Sequence, residues 1–278
     1  MTQALSSLTR WVVGGVLAGL ATSVVADDFL NARIGSFLDT NGTFSVIDVP
    51  GFFAGGGVRG INDAGQIVGN FQDSTGRQRG FLKVGSTFST IDIPGARETR
   101  AMGINDAGQI VGEFQDSAGH SHGYLYAGGT FTTLDVPAAF GAFATTADGI
   151  NDAGQIVGIY FTNHTGRQHG FLYGGGTFST IDVPGEATFA YDINNVGQIV
   201  GEFLDNGRSA NRGFLYAGGT FTVFDPPGAI STNVRGINDA GLIVGRFTFN
   251  VPEPGSLVLF SVGLLGLGLA WRRRGAIS

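Results

Sequence analysis

The chain has 278 residues, among them 48 Gly, 23 Phe and no Cys, and a formal net charge of −6. Without cysteine, disulfides and thiolate metal centres are excluded in any compartment. Residues 27–250 carry 12 Lys and Arg against 21 Asp and Glu, a balance of −9, so this segment has no electrostatic basis for holding nucleic acid.

The first element in chain order is an apolar run over residues 11–25, after a short region whose only charge is Arg10. It closes on Val24-Val25-Ala26, compact residues of the kind a signal peptidase reads, so residues 1–26 are expected to be a secretory signal cleaved after Ala26. A retained membrane anchor is the other reading, but the stretch is short beside the roughly 20 residues a span needs.

Residues 34–50, IGSFLDTNGTFSVIDVP, come next, and they match the second half of a unit that then recurs. The decapeptide GINDAGQIVG, or a close variant, starts at Gly60, Gly103, Gly149, Asp192 and Gly236, with steps of 43, 46, 43 and 44 residues. A period this regular marks one supersecondary unit copied in tandem. Within the unit, Asn at the first position and Gly at the fourth position of Asn62-Asp63-Ala64-Gly65 suit a type I turn, and the Gly can take positive φ to form a bulge. The copy at Asn194-Asn195-Val196-Gly197 keeps the ends and changes the middle.

Further turns at Ser74-Thr75-Gly76 and Gly85-Ser86 divide the unit into four short strands closed by Pro94, an antiparallel meander. Adjacent apolar pairs, Ile67-Val68 and Phe81-Leu82, fit a sheet covered on both faces. Four strands in about 40–45 residues make a propeller blade. The last decapeptide is followed only by LIVGRFTF, the end of a first half-unit. The expected fold is therefore all-β: a five-bladed β-propeller over residues 27–250, closed by pairing the N- and C-terminal half-blades into one mixed sheet.

The final element is VPEPGSLVLFSVGLLGLGLAWRRRG: Pro252-Glu253-Pro254, an apolar run over 255–271, then Arg272, Arg273 and Arg274. An apolar helix ending in three arginines would stop in the inner membrane with its basic end in the cytoplasm. Residues 251–278 thus resemble a PEP-CTERM sorting signal. The resemblance implies recognition by an exosortase-type transpeptidase in a Gram-negative bacterium, cleavage near the motif, and transfer of a transiently membrane-inserted precursor to the cell surface. Through GINDAGQIVG, GFLY and GTFSTIDVP, residues 30–248 resemble the HAF-type extracellular repeat family, which supplies no catalytic residues to carry over.

Because the copies can be compared with one another, positions that break the repeat are the informative ones. The residue before each decapeptide varies as Arg59, Met102, Asp148, Tyr191 and Arg235, on the strand expected nearest the propeller axis. Arg100 lies in a preceding segment that also differs between copies. Variable positions on a fixed scaffold are where specificity resides, with solvent-facing drift as the bland alternative. Tyr124, Tyr173 and Tyr216 are candidates for stacking on sugars, with packing between blades as the alternative.

Asp48, Asp92, Asp135, Asp182 and Asp225 recur at strand ends, where Asp readily bonds local backbone. Arg79, His122, His169 and Arg212 are read as solvated strand residues. His120 and His122 form an H-x-H pair without a third ligand, so no metal is expected. No cofactor motif occurs, and Glu98, Glu113, Glu186 and Glu202 do not form a marked acid and base pair.

These features point to a secreted, surface-sorted, non-enzymatic binding or structural module whose possible partner is exopolysaccharide. A propeller glycoside hydrolase or lyase, or a purely structural surface protein, are the alternatives. Signal peptidase and the transpeptidase would be its processing partners.

Overall fold

The computed structural model describes residues 36–40, 43–49, 56–162 and 166–249. The expected signal segment with Ala26, and the sorting tail with Pro252, Glu253, Pro254, Arg272, Arg273 and Arg274, lie outside the described residues.

Four complete antiparallel blades follow one another in the chain. The first is β3 (Gly57–Ile61), β4 (Ile67–Gln72), β5 (Gln78–Val84) and β6 (Thr87–Ile91). The second is β7 (Glu98–Ile104), β8 (Ile110–Gln115), β9 (Ser121–Ala127) and β10 (Thr130–Leu134). The third is β11 (Ala142–Ile150), β12 (Ile156–Thr162), β13 (Gln168–Gly174) and β14 (Thr177–Ile181). The fourth is β15 (Ala187–Ile193), β16 (Ile199–Asp205), β17 (Ala210–Ala217) and β18 (Thr220–Phe224). Each is a meander in which consecutive strands pair. Half-blades flank them: β1 (Ser36–Thr40) with β2 (Thr43–Ile47), and β19 (Ala229–Ile237) with β20 (Ile243–Phe249).

The Asn-Asp-Ala-Gly turn forms as expected. Gly65 N–H donates to the Asn62 carbonyl at 2.9 Å, and Gly65 sits at φ 71°. The turn also does something its own sequence does not announce. Asn62 Nδ2 is held by Gln66 Oε1 at 2.8 Å and donates to the Asn105 carbonyl of the next blade at 3.0 Å. Asn105 reaches Asn151, Asn151 reaches Asn194, and Asn194 reaches Asn238 in the same way. The neighbouring Asp106 carboxylate accepts from Asp63 N–H at 2.8 Å, and this bond too repeats from blade to blade. The decapeptide is both a hairpin turn and the joint between blades.

Blade interiors are covered on both faces. Phe81, Tyr124, Phe171 and Phe214 are at most 1% exposed, and so are the adjacent pairs Ile67-Val68, Ile110-Val111, Ile156-Val157 and Ile199-Val200. Each buried ring lies over a glycine of the neighbouring strand. A Cβ at Gly69 or Gly158 would come within 2.8 Å of the Phe81 or Phe171 ring. Burial of each ring stabilises the blade by about 1.5–3 kcal/mol. The inner strands β7, β11, β15 and β19 then pack across the middle strands of the blade before them.

The expected closing sheet is where the structure departs from the sequence reading. The β1–β2 and β19–β20 hairpins are two separate two-stranded sheets, with no ladder between β1 and β20 among the described residues. Each half-blade is secured by its own neighbour. Leu38, Ile47 and Val49 pack on Ile67, Phe71 and Phe81 of the first blade, and Ser36 Oγ accepts from Val58 N–H at 3.1 Å. On the other side Val234 packs into the glycine gap at Gly213 of the fourth blade. The seam between the halves stays open, leaving Phe37, Val244, Phe247 and Phe249 exposed.

The halves are nevertheless complementary. In the first blade Val68 faces Leu82, and Gly69 faces Phe81. The same alignment sets Val244 opposite Leu38 and Gly245 opposite Phe37. In this cysteine-free chain the double variant Leu38→Cys/Val244→Cys is therefore expected to form an intramolecular disulfide, since opposed strand positions meet disulfide geometry. A cross-linked monomer on a non-reducing gel is the expected product. Retention of both thiols under oxidation, or dimers alone, would show that the half-blades do not meet.

Candidate functional site

The inner strands β3, β7, β11, β15 and β19 line one cavity of about 570 Å³. The residue before each decapeptide faces it, so Arg59, Met102, Asp148, Tyr191 and Arg235 converge in one channel. A second recess of about 410 Å³, at the turn end, is bordered by Asp63, Asp106, Asp152, Asn195 and Asp239. Asn195 there donates to Asp152 at 2.7 Å and to Asp239 at 2.8 Å, so the one neutral member of this ring bridges two carboxylates.

Three channel side chains, Arg59, Tyr191 and Arg235, are braced from the second strand of a blade. Tyr191 Oη donates to Glu202 Oε1 at 2.9 Å, and Asn233 Nδ2 donates to Glu202 Oε2. The Arg235 guanidinium lies 4.2 Å from the centre of the Tyr191 ring, a cation–π contact, and 4.0 Å from Glu202. Arg59 Nε donates to Asn70 Oδ1 at 3.2 Å. Burial, with the Glu202 carboxylate beside it, pushes the Tyr191 hydroxyl well above the usual phenol range.

Two carboxyls that line the cavity have raised pKa values. Burial and the nearby Glu113 carboxylate push Asp148 up to about 7, against the opposing pull of Thr146, Arg235 and Arg59. Burial raises Asp192 to about 6, although its oxygens accept from Ile193 N–H and from Ile237 N–H of the next blade, both at 2.9 Å. An acid whose folded pKa is raised stabilises the fold below its unfolded pKa, and that contribution disappears as pH rises through the folded value. Replacing Asp148 by Asn is therefore expected to leave thermal stability unchanged below about pH 4 and to raise it progressively relative to the parent between about pH 4 and pH 7, with a constant difference above. Melting curves across that range are the measurement, and equal pH slopes for parent and variant would contradict it.

The other candidates lie elsewhere. Arg100 is paired with Glu98 at 2.6 Å and with Glu113, and it does not line the cavity. Tyr124 is fully buried, donating to the Arg100 carbonyl at 3.1 Å, so it is a core residue and has no surface to offer a sugar. Tyr173 and Tyr216 pack against Phe178 and Phe221 at centroid separations of 4.7 Å, at the edges of apolar clusters. For these tyrosines the packing alternative describes what is seen.

The residues read as solvated strand positions are clamped instead. Arg79 lies between Asp73 and Asp92, and Arg212 between Asp205 and Asp225. His122 bonds Asp135 at 2.9 Å and stacks on Phe114, while His169 bonds Asp182 at 2.6 Å and stacks on Tyr160. Asp92, Asp135, Asp182 and Asp225, the repeated strand-end residues, therefore each hold an Arg or His side chain on the third strand. Among the described residues, no group of three His, Asp or Glu is placed to hold a metal ion.

Sequence reasoning passed over Glu202, Asn233 and Asp192 as members of the site. The signal for Asp192 was present, since it replaces the glycine that opens the other four decapeptides.

Residues 250–274 match the PEP-CTERM protein-sorting motif. No curated protein sequence matches the chain. Among solved structures, the chain is similar to the β-propeller domain of the Trilobed protease from Pyrococcus furiosus, described as having an open velcro topology, with 11% identity, a TM-score of 0.43, and 75% of this chain and 78% of that chain covered. It is also similar to a fucose-specific lectin from Aleuria aurantia, with 13% identity, a TM-score of 0.42 and 70% of each chain covered. A third similar structure is the sialidase of Trypanosoma rangeli, with 10% identity, a TM-score of 0.32, and 68% of this chain and 37% of that chain covered.

Proposed function

We propose that this chain is a surface-displayed, non-enzymatic binding module whose recognition site is the central channel. One observation carries this reading. Across near-identical copies, a single repeat position bears four different residue types in its five copies, Arg59, Met102, Asp148, Tyr191 and Arg235, and all five side chains line the same cavity. A concave site with a few convergent polar groups and a perturbed carboxyl is the usual form of a ligand site.

The sorting motif supports an address outside the cell. On this reading, signal peptidase and an exosortase-type transpeptidase process the precursor in a Gram-negative envelope, and the partner is extracellular polysaccharide, one unit of which enters the channel mouth. The competing hydrolase reading needs a second carboxylate, about 5–9 Å from a proton-holding acid and available to the substrate. Asp148 could hold the proton, but Glu113 is committed to Arg100, Glu202 to Tyr191 and Asn233, and Asp192 to the Ile193 and Ile237 N–H groups.

The test is binding of the full chain to a panel of immobilised bacterial polysaccharides. Saturable binding is expected, weakened at least about tenfold by Tyr191→Ala and by Arg235→Ala, the loss of one good desolvated contact. Binding untouched by both changes would place recognition outside the channel. Polysaccharide cleavage abolished by Asp148→Asn would make the protein an enzyme.

A further inference from the structure

The five channel side chains are not distributed evenly by charge. Arg59 belongs to the first blade and Arg235 to the last half-blade, so the two guanidinium groups flank the seam. Asp148, on the third blade, stands across the channel from that seam. Met102 and Tyr191 fill the two flanking positions, one on each side.

The polar atoms left available follow the same division. Arg59 uses Nε on Asn70, and its two terminal nitrogens have no partner among the described residues. Arg235 stacks on Tyr191 and keeps its side chain 48% exposed. Among the described residues, Asp148 accepts only from Thr146 Oγ1, at 3.1 Å. Glu202 is already satisfied by Tyr191 and Asn233, and Asp192, which also lines the cavity, has both oxygens on the Ile193 and Ile237 N–H groups, so the open acceptor of the channel is Asp148.

A ligand that is only anionic would satisfy the guanidinium side and confront Asp148. One that is only cationic would satisfy Asp148 and confront two arginines. Unpaired charge in a narrow cavity is costly, because little water remains to solvate it. We propose that the channel recognises a dipolar group, with its carboxylate on Arg59 and Arg235 and its ammonium on Asp148, and with the carbon between them lying along Met102 and Tyr191. This inference rests on the channel reading above and names the chemistry of its ligand.

The ionisation of Asp148 supports the assignment. In the free protein its proton is retained near neutrality by burial and Glu113, opposed by Thr146, Arg59 and Arg235, with Tyr191 and Asp192 of the neighbouring blade lining the cavity beside it. An ammonium brought against it favours the carboxylate, so binding below neutrality should release a proton. The same dipolar chemistry is found in free amino acids and in amino sugars that carry a carboxylate.

Isothermal titration of the full chain separates these sources and tests the claim. The probes are glycine, β-alanine, γ-aminobutyrate and muramic acid, with glucuronate and glucosamine as single-charge controls. At least one zwitterion is expected to bind once per chain, about tenfold or more tighter than either control. Arg59→Met and Asp148→Asn should each weaken it by a similar factor, with Asp148→Asn verified as folded by its melting curve. For glycine, β-alanine or γ-aminobutyrate, whose ammonium stays protonated throughout, the binding heat at about pH 6 should vary with the ionisation enthalpy of the buffer, and this variation should vanish at about pH 8.5, as proton release requires.

Binding confined to the ω-amino acids assigns a free small molecule, and binding confined to muramic acid assigns a sugar residue. Either outcome supports the dipolar site. Equal affinity for glucuronate, no effect of Asp148→Asn, or no binding by any zwitterion overturns it. The channel itself would still stand if polysaccharide binding remained sensitive to Tyr191→Ala, so the two failures are distinguishable.

Discussion

Gly201→Ala is expected to destabilise the protein by at least about 3 kcal/mol, the upper end for forcing extra volume into a packed interior. At the usual scaling for a chain of this size, that lowers the melting temperature by about 6–12 °C. Gly201 pairs with Phe214 in the β16–β17 ladder. A Cβ there would overlap the Phe189 carbonyl oxygen and come within 2.9 Å of the Phe214 ring. Neither can retreat, because the carbonyl belongs to a paired strand and the ring is fully buried. The comparison variant is Gly197→Ala, where a Cβ meets open space but φ is 79°. That change should cost only about 1 kcal/mol, the penalty of positive φ alone. Thermal melts of the two variants decide the matter: similar losses would mean that the ring does not need the glycine.

Asn151→Ala should be nearly as damaging, at about 2–4 kcal/mol, since it removes several buried hydrogen bonds at once. Asn151 is buried, its Oδ1 accepts from Gln155 N–H at 2.9 Å, and its Nδ2 donates to Gln155 Oε1 and to the Asn194 carbonyl of the next blade. The cut therefore falls on the turn and on the joint between blades together. The equivalent change at Asn238 should cost less than about 1 kcal/mol, as for a solvated polar group. There the bracing Gln is replaced by Leu242, the side chain is exposed, and its hydrogen bond runs only to Leu242 N–H at 2.8 Å. Denaturant unfolding of the two variants reads the difference directly. A loss at Asn238 as large as at Asn151 would mean that the seam is joined like the other four boundaries.

Much of this was legible in the chain, because the repeat serves as its own alignment. The spacing of the decapeptide located the turns, adjacent apolar pairs such as Ile67-Val68 showed sheets covered on both faces, and the half-units at 34–50 and 242–249 counted the blades. The channel residues were also within reach, since only a position free of a common structural task can take four residue types in five copies. What misled was treating polar repeats as local. The clamp of Arg79 by Asp73 and Asp92, or of His169 by Asp182, joins positions up to 13 residues apart that pair only once three strands are in register. The tyrosines misled for a different reason. Tyr124 stands where Phe81, Phe171 and Phe214 stand, so its equivalence to core phenylalanines was visible, while its hydroxyl invited a surface role that the Arg100 carbonyl fills inside the blade.

The sequence by itself determined the strands, the turns and the number of blades, because each depends on periodicity and on glycine geometry within some 40 residues. Tertiary structure alone decided which polar groups meet. Asn reaches across 43–46 residues to the next blade, Arg235 comes to rest on Tyr191, and Asp148 stands opposite two arginines. It also decided that the half-blades are each secured to a neighbour before being secured to one another, since packing on an adjacent blade is available to both without a ladder between them.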